Sequence, residues 1–193
     1  MGSPPATAGR QRSVTCLPMA PLRSRPEPER KQGDAPNGLP YESVWDYPRP
    51  PEIRPEPREV TVSLNGEMIA HSARAVRVCE TAGGPVIYLP PEDVTPGAVQ
   101  PSGGGESFCE WKGAATYFDV VAGEERIPRA AWAYPDPTPA FQSIAGWLSF
   151  YPALVECRLG DELVRPQPGG FYGGWMTDEV TGPVKGEPGT GGW

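Results

Sequence analysis

Short alternating apolar segments, separated by turn residues, are the feature that most constrains the fold of this chain. About eight of them follow one another between residues 59 and 165, and only the stretch after Thr138-Pro139 has the apolar spacing of a short helix. Short strands at this spacing are typical of β-sandwiches and partly open barrels. We therefore predict a single, mainly β domain over residues 59–165, which is long enough to close one core.

The strongest local signal within this region is a hairpin. Asn65-Gly66 separates an alternating segment that begins at Val60 from a second one that runs to Ala70. Asn-Gly readily adopts the two positive φ angles of a type I′ turn, which matches the twist of paired strands. The pattern thus predicts two antiparallel strands, and Gly160-Asp161 predicts a similar turn between the last two strands.

Proline and glycine dominate both flanks of the predicted domain. Residues 1–58 form a Pro-rich arm, which we predict to be disordered or extended because it has too little apolar surface to offset the entropy of ordering. Its part after Tyr41 contains aromatics, so it is either a staple on the domain surface or a partner-binding peptide. Residues 166–193 form a Gly/Pro-rich tail, whose aromatics predict that it packs on the domain.

Charge and cysteine usage limit the classes of function. The chain has a formal net charge of −7, and residues 59–193 carry 17 acidic against 8 basic side chains, which argues against nucleic-acid binding. No apolar run reaches the length of a membrane-spanning helix and no hydrophobic leader is evident, so we expect a cytoplasmic protein without membrane contact. The four cysteines are widely spaced and lack a C-x-x-C pair, so we predict no metal and no cofactor, and the oligomeric state stays open.

The candidate chemistry centres on Lys112, which precedes a glycine and a predicted strand. If Gly113 keeps the register, Lys112 shares a face with Ala114, Thr116 and Phe118, a row that leaves room for a ligand. Such a lysine could hold a carboxylate or phosphate, or act as a nucleophile. It could equally be a structural ion-pair partner or an exposed turn residue.

Two further residues are candidates for catalysis beside Lys112. Glu80 ends an apolar row and needs a partner if it is buried, for which Lys112 is the obvious choice. The pair could serve acid–base chemistry or be simple architecture. Cys109 lies three residues before the lysine, so it is either a nucleophile favoured by a nearby cation or a packing residue.

Six short motifs, which occur in one order between about residues 60 and 165, resemble the bacterial and fungal family known as domain of unknown function 427. They are Leu64-Asn65-Gly66-Glu67, Glu80-Thr81, Tyr88-Leu89-Pro90-Pro91-Glu92-Asp93-Val94, Cys109-x-x-Lys112-Gly113-Ala114-x-x-Tyr117, Ala131-Trp132-x-Tyr134-x-x-Pro137 and Phe150-Tyr151. The resemblance implies a β-tent fold, as in type B methionine sulfoxide reductases, formaldehyde-activating enzymes and the thalidomide-binding domain of cereblon. Several of those proteins hold a structural zinc on C-x-x-C pairs, which this chain lacks.

The predicted function is the binding of a small molecule in an aromatic-lined pocket that contains a Lys/Glu pair. Its ligand-binding residues would be Glu80, Tyr88, Lys112, Tyr117, Trp132 and Tyr134, although aromatics in a small β-domain are often simply core. One alternative is an enzyme on a small substrate, either dependent on Cys109 or Lys112 or nucleotidyltransferase-like, as a label of the family suggests. The other is a protein-interaction module that uses the Pro-rich arm.

Overall fold

The structure is a computed structural model that describes residues 30–190. Within this range the chain is mainly β, which confirms the predicted fold class. Its sixteen strands are β1 (Glu42–Ser43), β2 (Glu52–Pro55), β3 (Val60–Leu64), β4 (Glu67–Ser72), β5 (Val76–Cys79), β6 (Val86–Tyr88), β7 (Val99–Pro101), β8 (Ser107–Cys109), β9 (Gly113–Ala122), β10 (Glu125–Ala133), β11 (Leu148–Phe150), β12 (Glu156–Leu159), β13 (Glu162–Leu163), β14 (Arg165–Pro166), β15 (Trp175–Met176) and β16 (Val180–Thr181).

Helical structure in residues 30–190 is restricted to three 3₁₀ segments, Val44–Asp46, Pro91–Asp93 and Pro139–Ile144. The longest one begins after Thr138 and buries two apolar side chains, Phe141 and Ile144, so the short helix predicted there is confirmed as a 3₁₀ helix. No helix in this part of the chain is long and apolar enough to cross a bilayer.

Three antiparallel sheets carry the domain. A five-stranded sheet has the order β11-β10-β9-β7, with β8 paired to β9; a four-stranded sheet has the order β13-β12-β3-β4; and a three-stranded sheet has the order β2-β5-β6. The hairpin predicted at Asn65-Gly66 is confirmed between β3 and β4, with φ angles of 52° and 79° at the turn. Val60, Val62 and Leu64 alternate toward the buried face, as the sequence pattern requires.

The long hairpin of β9 and β10 contains an irregularity that a short-range pattern does not predict. The register shifts between Ile127 and Ala131, and Arg129 takes a φ of +53°. Its backbone N–H donates to Asp119 Oδ1 at 3.0 Å. The Ser102 hydroxyl, this backbone N–H and the Arg126 guanidinium together lower the pKa of Asp119 to about 2. The bulge is thus fixed to the neighbouring strand through one ionised carboxylate.

The described part of the N-terminal arm lies on the domain. Strand β2 is hydrogen-bonded to β5, and β1 pairs in parallel with β16 of the C-terminal tail. Val44 and Tyr47, which follow β1, are 0% and 4% exposed and pack against Val180 of the tail. The predicted disordered stretch before Arg30 lies outside the described residues.

Buried ion pairs also tie the arm to the tail. Arg58 Nε lies 2.7 Å from Glu56 Oε1, and Arg58 Nη2 lies 3.0 Å from Glu179 Oε1, with both carboxylates almost fully buried. Asn37 Nδ2 donates to Glu162 and Glu179 at 2.7 Å each. A buried carboxylate is stable only when its oxygens are paired, so these contacts hold the described parts of the arm and the tail together.

The C-terminal tail supplies a residue of the main core. Trp175 is 1% exposed, belongs to the same apolar cluster as Val62, Val120 and Phe150, and donates its indole N–H to the Phe150 carbonyl at 3.0 Å. The tail is therefore part of the folded domain.

Candidate functional site

Lys112 lies in the turn before β9 and points into the protein. Only 7% of the residue is exposed, whereas Ala114, two positions later, is exposed. The prediction that these two residues share a face is therefore wrong. Gly113 is the reason: its φ of +96° breaks the strand alternation and turns Lys112 away from the row of Ala114. Thr138 fixes the turn, because its N–H donates to the Lys112 carbonyl at 3.2 Å.

The Lys112 ammonium is surrounded by aromatic rings. Its Nζ lies 5.7 Å from the ring centroid of Tyr134 and 5.4 Å from that of Phe141. Within residues 30–190 it forms no ion pair and its side chain donates no hydrogen bond. Ring faces attract a cation, but they do not replace the hydrogen bonds that an ammonium loses on burial. Lys112 is thus a buried cation that still lacks an anionic partner in this part of the chain.

Glu80 lies close to Lys112 but pairs with another cation. Its Oε1 is 3.1 Å from Nζ of Lys185, a residue of the C-terminal tail. The expected Glu80–Lys112 ion pair is therefore replaced by one between Glu80 and Lys185. The loop after Glu80 is clamped between arm and tail: Ala82, with a φ of +63°, donates its N–H to the Val44 carbonyl, and its own carbonyl accepts from the Lys185 N–H.

Glu80 and Lys112 line one cleft of about 80 Å³. Its walls come from three segments of chain: β5 and β6 with the loop between them, the turn at Lys112, and the C-terminal tail. The lining residues are Val78, Glu80, Gly83, Gly84, Val86, Lys112, Gln167, Tyr172, Gly173, Gly174 and Lys185. The cleft therefore has two cations, one carboxylate and four glycines, of which Gly84, Gly173 and Gly174 pack against neighbouring side chains.

Three of the predicted ligand-binding aromatics form one buried cluster beside the cleft. The Tyr88 ring centroid lies 6.4 Å from both Trp132 and Tyr134, and the Trp132 indole lies 4.4 Å from the Tyr151 ring. Burial raises the pKa of the Tyr88 and Tyr134 hydroxyls, so both are neutral at physiological pH. Tyr134 is the direct link from this cluster to Lys112.

The remaining two candidate residues, Tyr117 and Cys109, lie at the edge of that cluster. The Tyr117 ring is stacked under the Arg129 guanidinium at 3.7 Å, and its hydroxyl is hydrogen-bonded to Ser107 Oγ at 2.7 Å. Cys109 is a free, half-buried thiol that packs against the same aromatics. Neither residue lines the Lys112 cleft.

A known family matches the part of the chain that contains most of these residues. The sequence model of the family described as domain of unknown function (DUF427) matches residues 52–160, more than half of the chain. The chain belongs to this family. No curated protein matches it. The DUF427 match begins at β2 and ends with β12, so it contains Glu80, Lys112 and the aromatic cluster but not the tail residues of the cleft.

Asp93, which follows Glu92 in this DUF427 chain, has a structural role. Asp93 accepts from the Ser72 hydroxyl and from Arg74 Nη2, each at 2.6 Å, in the 3₁₀ turn Pro91–Asp93. Within residues 30–190, no three His, Cys, Asp or Glu side chains come together as a set that could hold a metal ion. Asp93 is thus bound to neighbouring side chains of the fold.

The sequence did not predict that the C-terminal tail of this DUF427 protein lines the cleft. Gln167 accepts from the Gly84 N–H at 2.9 Å and donates to the Lys185 carbonyl at 2.8 Å, which holds the two walls together. Gly173 lies so close to Trp132 that a Cβ built on it would be 2.1 Å from the indole Cη2. The only sequence signal for this contact was the mixture of glycines and aromatics from Gly169 to Trp175.

Proposed function

We propose that this protein binds a small molecule through an anionic group that pairs with Lys112 in the cleft. The observation that supports the proposal most is the state of this lysine, which is buried and has no ion pair within residues 30–190. Buried lysines are rare unless a partner compensates the lost hydration. A carboxylate or phosphate of a ligand is the partner that this position lacks.

The charges around the cleft favour an anion. Lys185 and Glu80 neutralise each other at 3.1 Å, so the Lys112 charge is the uncompensated one among the lining residues. A unit anion about 4 Å from it would gain roughly 4 kcal/mol at the effective dielectric constant of a protein surface, before its own desolvation is subtracted. Gly83, which has no side chain packed against it, allows a ligand to approach the backbone closely.

No observation favours a second function over this one. An enzyme dependent on Lys112 or Cys109 stays a prediction, as does an interaction module based on the Pro-rich arm. The residues of that arm from Arg30 onward pack on the domain, and those before it lie outside the described residues.

The test is binding of small anions to the wild-type protein and to matched lysine variants. Acetate and inorganic phosphate are titrated, with chloride at equal ionic strength as reference, while the melting temperature is followed. At about ten times Kd, a bound anion should raise the melting temperature by about 3–5 °C. Lys112→Met should abolish the shift, whereas Lys31→Met, at an exposed position, should retain it. An equal shift in the Lys112→Met protein, or none in the wild type, would refute the proposal.

A further inference from the structure

A loop of the C-terminal tail covers the cleft and is attached mainly at its base. Strands β14 and β15 pair Arg165 with Met176 and Pro166 with Trp175, and the Gln167 N–H donates to the Gly174 carbonyl at 3.1 Å. Beyond this base, residues 168–173 form a loop. Within it, Gly169 and Gly170 have φ angles of +92° and +67°. The loop thus combines a fixed base with a glycine-rich outer part, residues 169–173, which we call the tip.

The loop touches the domain through Gly173 and through Tyr172, which lines the cleft. Phe171 is 72% exposed and Tyr172 37% exposed, and the two rings pack on each other at 5.3 Å. Gly173 makes the contact, with its backbone against the six-membered ring of the Trp132 indole. Phe171 buries little apolar surface, so the hydrophobic cost of lifting the loop comes mainly from Tyr172 and from the part of the Trp132 ring that Gly173 covers.

Gly173 also lines the Lys112 cleft, and it lies against the Cη2 end of the Trp132 indole, so it separates the cleft from this part of the ring. With the tip in place the cleft measures about 80 Å³, whereas sites for small molecules usually span about 300–1,000 Å³. Lifting Gly173 would join the cleft to the Cη2 end of the indole. The Trp132 indole is held in place by two neighbouring rings, since its ring centroid lies 4.4 Å from that of Tyr151 and it meets Tyr88 in an edge contact.

We propose that the ligand carries a flat ring, which takes the place of the Gly173 backbone on the Trp132 indole while its anionic group pairs with Lys112. The tail loop is then a displaceable cover, and the ligand class is a planar ring bearing a carboxylate or phosphate. This inference rests on the proposed function, because it uses Lys112 as the anion contact.

The first experiment compares ring-bearing with ringless anions on the wild-type protein. Dissociation constants are measured by calorimetry for benzoate against acetate and for phenyl phosphate against inorganic phosphate. The ring should tighten binding by at least about tenfold within one or both pairs, because it buries apolar surface on Trp132. Trp132→Leu should remove this advantage in a protein that circular dichroism shows to be folded. The pair with the larger ring advantage identifies the preferred anionic group, carboxylate or phosphate. Equal affinities within both pairs would overturn the inference.

The second experiment perturbs the cover itself. In Gly173→Ala the new methyl group collides with the indole, so the loop cannot occupy its closed position and benzoate should bind about threefold to tenfold tighter. Gly103→Ala is the matched control, since a Cβ there meets no atom within 4 Å and its affinity should equal that of the wild type. Weaker or unchanged benzoate binding by a folded Gly173→Ala protein would contradict the displaceable cover.

A third measurement needs no variant. Saturating benzoate should accelerate chymotrypsin cleavage after Phe171 and Tyr172 at least about threefold over saturating acetate, because cleavage requires the loop to leave the domain. Slower or equal cleavage would overturn the cover. The two proposals fail separately: acetate binding that does not depend on Lys112 defeats the proposed function, whereas Lys112-dependent acetate binding without a ring advantage defeats only this inference.

Discussion

Replacing Trp175 by alanine tests whether the C-terminal tail is part of the core. The side chain is 1% exposed, lies in the main apolar cluster and donates a hydrogen bond to the Phe150 carbonyl. Truncation of a buried tryptophan costs about 3–5 kcal/mol of unfolding free energy, and the lost hydrogen bond adds about 1 kcal/mol. We therefore expect a destabilisation of about 4–6 kcal/mol, which is a large part of the roughly 5–15 kcal/mol that stabilises a typical domain.

The assay is urea unfolding followed by far-ultraviolet circular dichroism. Trp175→Ala should lower the midpoint strongly with little change in slope, and Trp175→Phe, which keeps most of the ring volume, should cost about 1–3 kcal/mol. Phe171→Ala is the matched control on the same tail, because that ring is 72% exposed, and it should change stability by less than about 0.5 kcal/mol. If Trp175→Ala destabilised the protein by less than about 1 kcal/mol, the tail would not be a core element. The tail wall of the cleft would then lose its support as well.

Two further predictions concern the long hairpin and its entry. Gly113→Ala should cost about 1–3 kcal/mol in urea unfolding and should weaken acetate binding, because alanine disfavours the φ of +96° that turns Lys112 into the cleft; unchanged binding would show that this backbone angle does not place the lysine. Asp119, whose pKa is lowered to about 2, stabilises the fold above its ordinary pKa of 3.8, and this contribution is lost as the pH falls from about 4 to 2. Asp119→Asn should therefore lose less stability than the wild type across that pH range in acid titrations monitored by circular dichroism, and parallel curves would contradict the assignment.

The features that could be predicted from sequence are those set by neighbouring residues. The Asn65-Gly66 hairpin needs only a turn that accepts positive φ between two alternating segments, and the structure has it. The burial of Lys112 beside aromatic rings also agrees with its sequence context, since Tyr134 follows directly after β10 and Phe141 lies on the next 3₁₀ helix. Local pattern and tertiary packing point the same way in these places.

The features that could not be predicted depend on distant contacts or on one backbone angle. Glu80 and Lys185 are separated by 105 positions, and the tail that carries Lys185 has no strand or helix periodicity from which its path follows. The face of Lys112 was wrongly predicted because strand alternation was extended through Gly113, where the φ angle interrupts it. The sequence thus indicates Lys112 and the aromatic cluster, but not the part of the C-terminal tail that closes the cleft.

The parallel pairing of β1 with β16 has a consequence for how the protein folds as it is synthesised. Glu42 and Ser43 find their strand partners only at Val180 and Thr181, and the Trp45 indole donates to the carbonyl of Pro183, 138 positions later. These contacts have a very high sequence separation, which slows folding because a long loop must close before they form. A ribosome-bound chain can assemble the central sheets early, but it cannot complete the domain until the tail has emerged. Premature termination before Trp175 would therefore release a chain with an unfilled core and an unpaired arm, a species prone to aggregation.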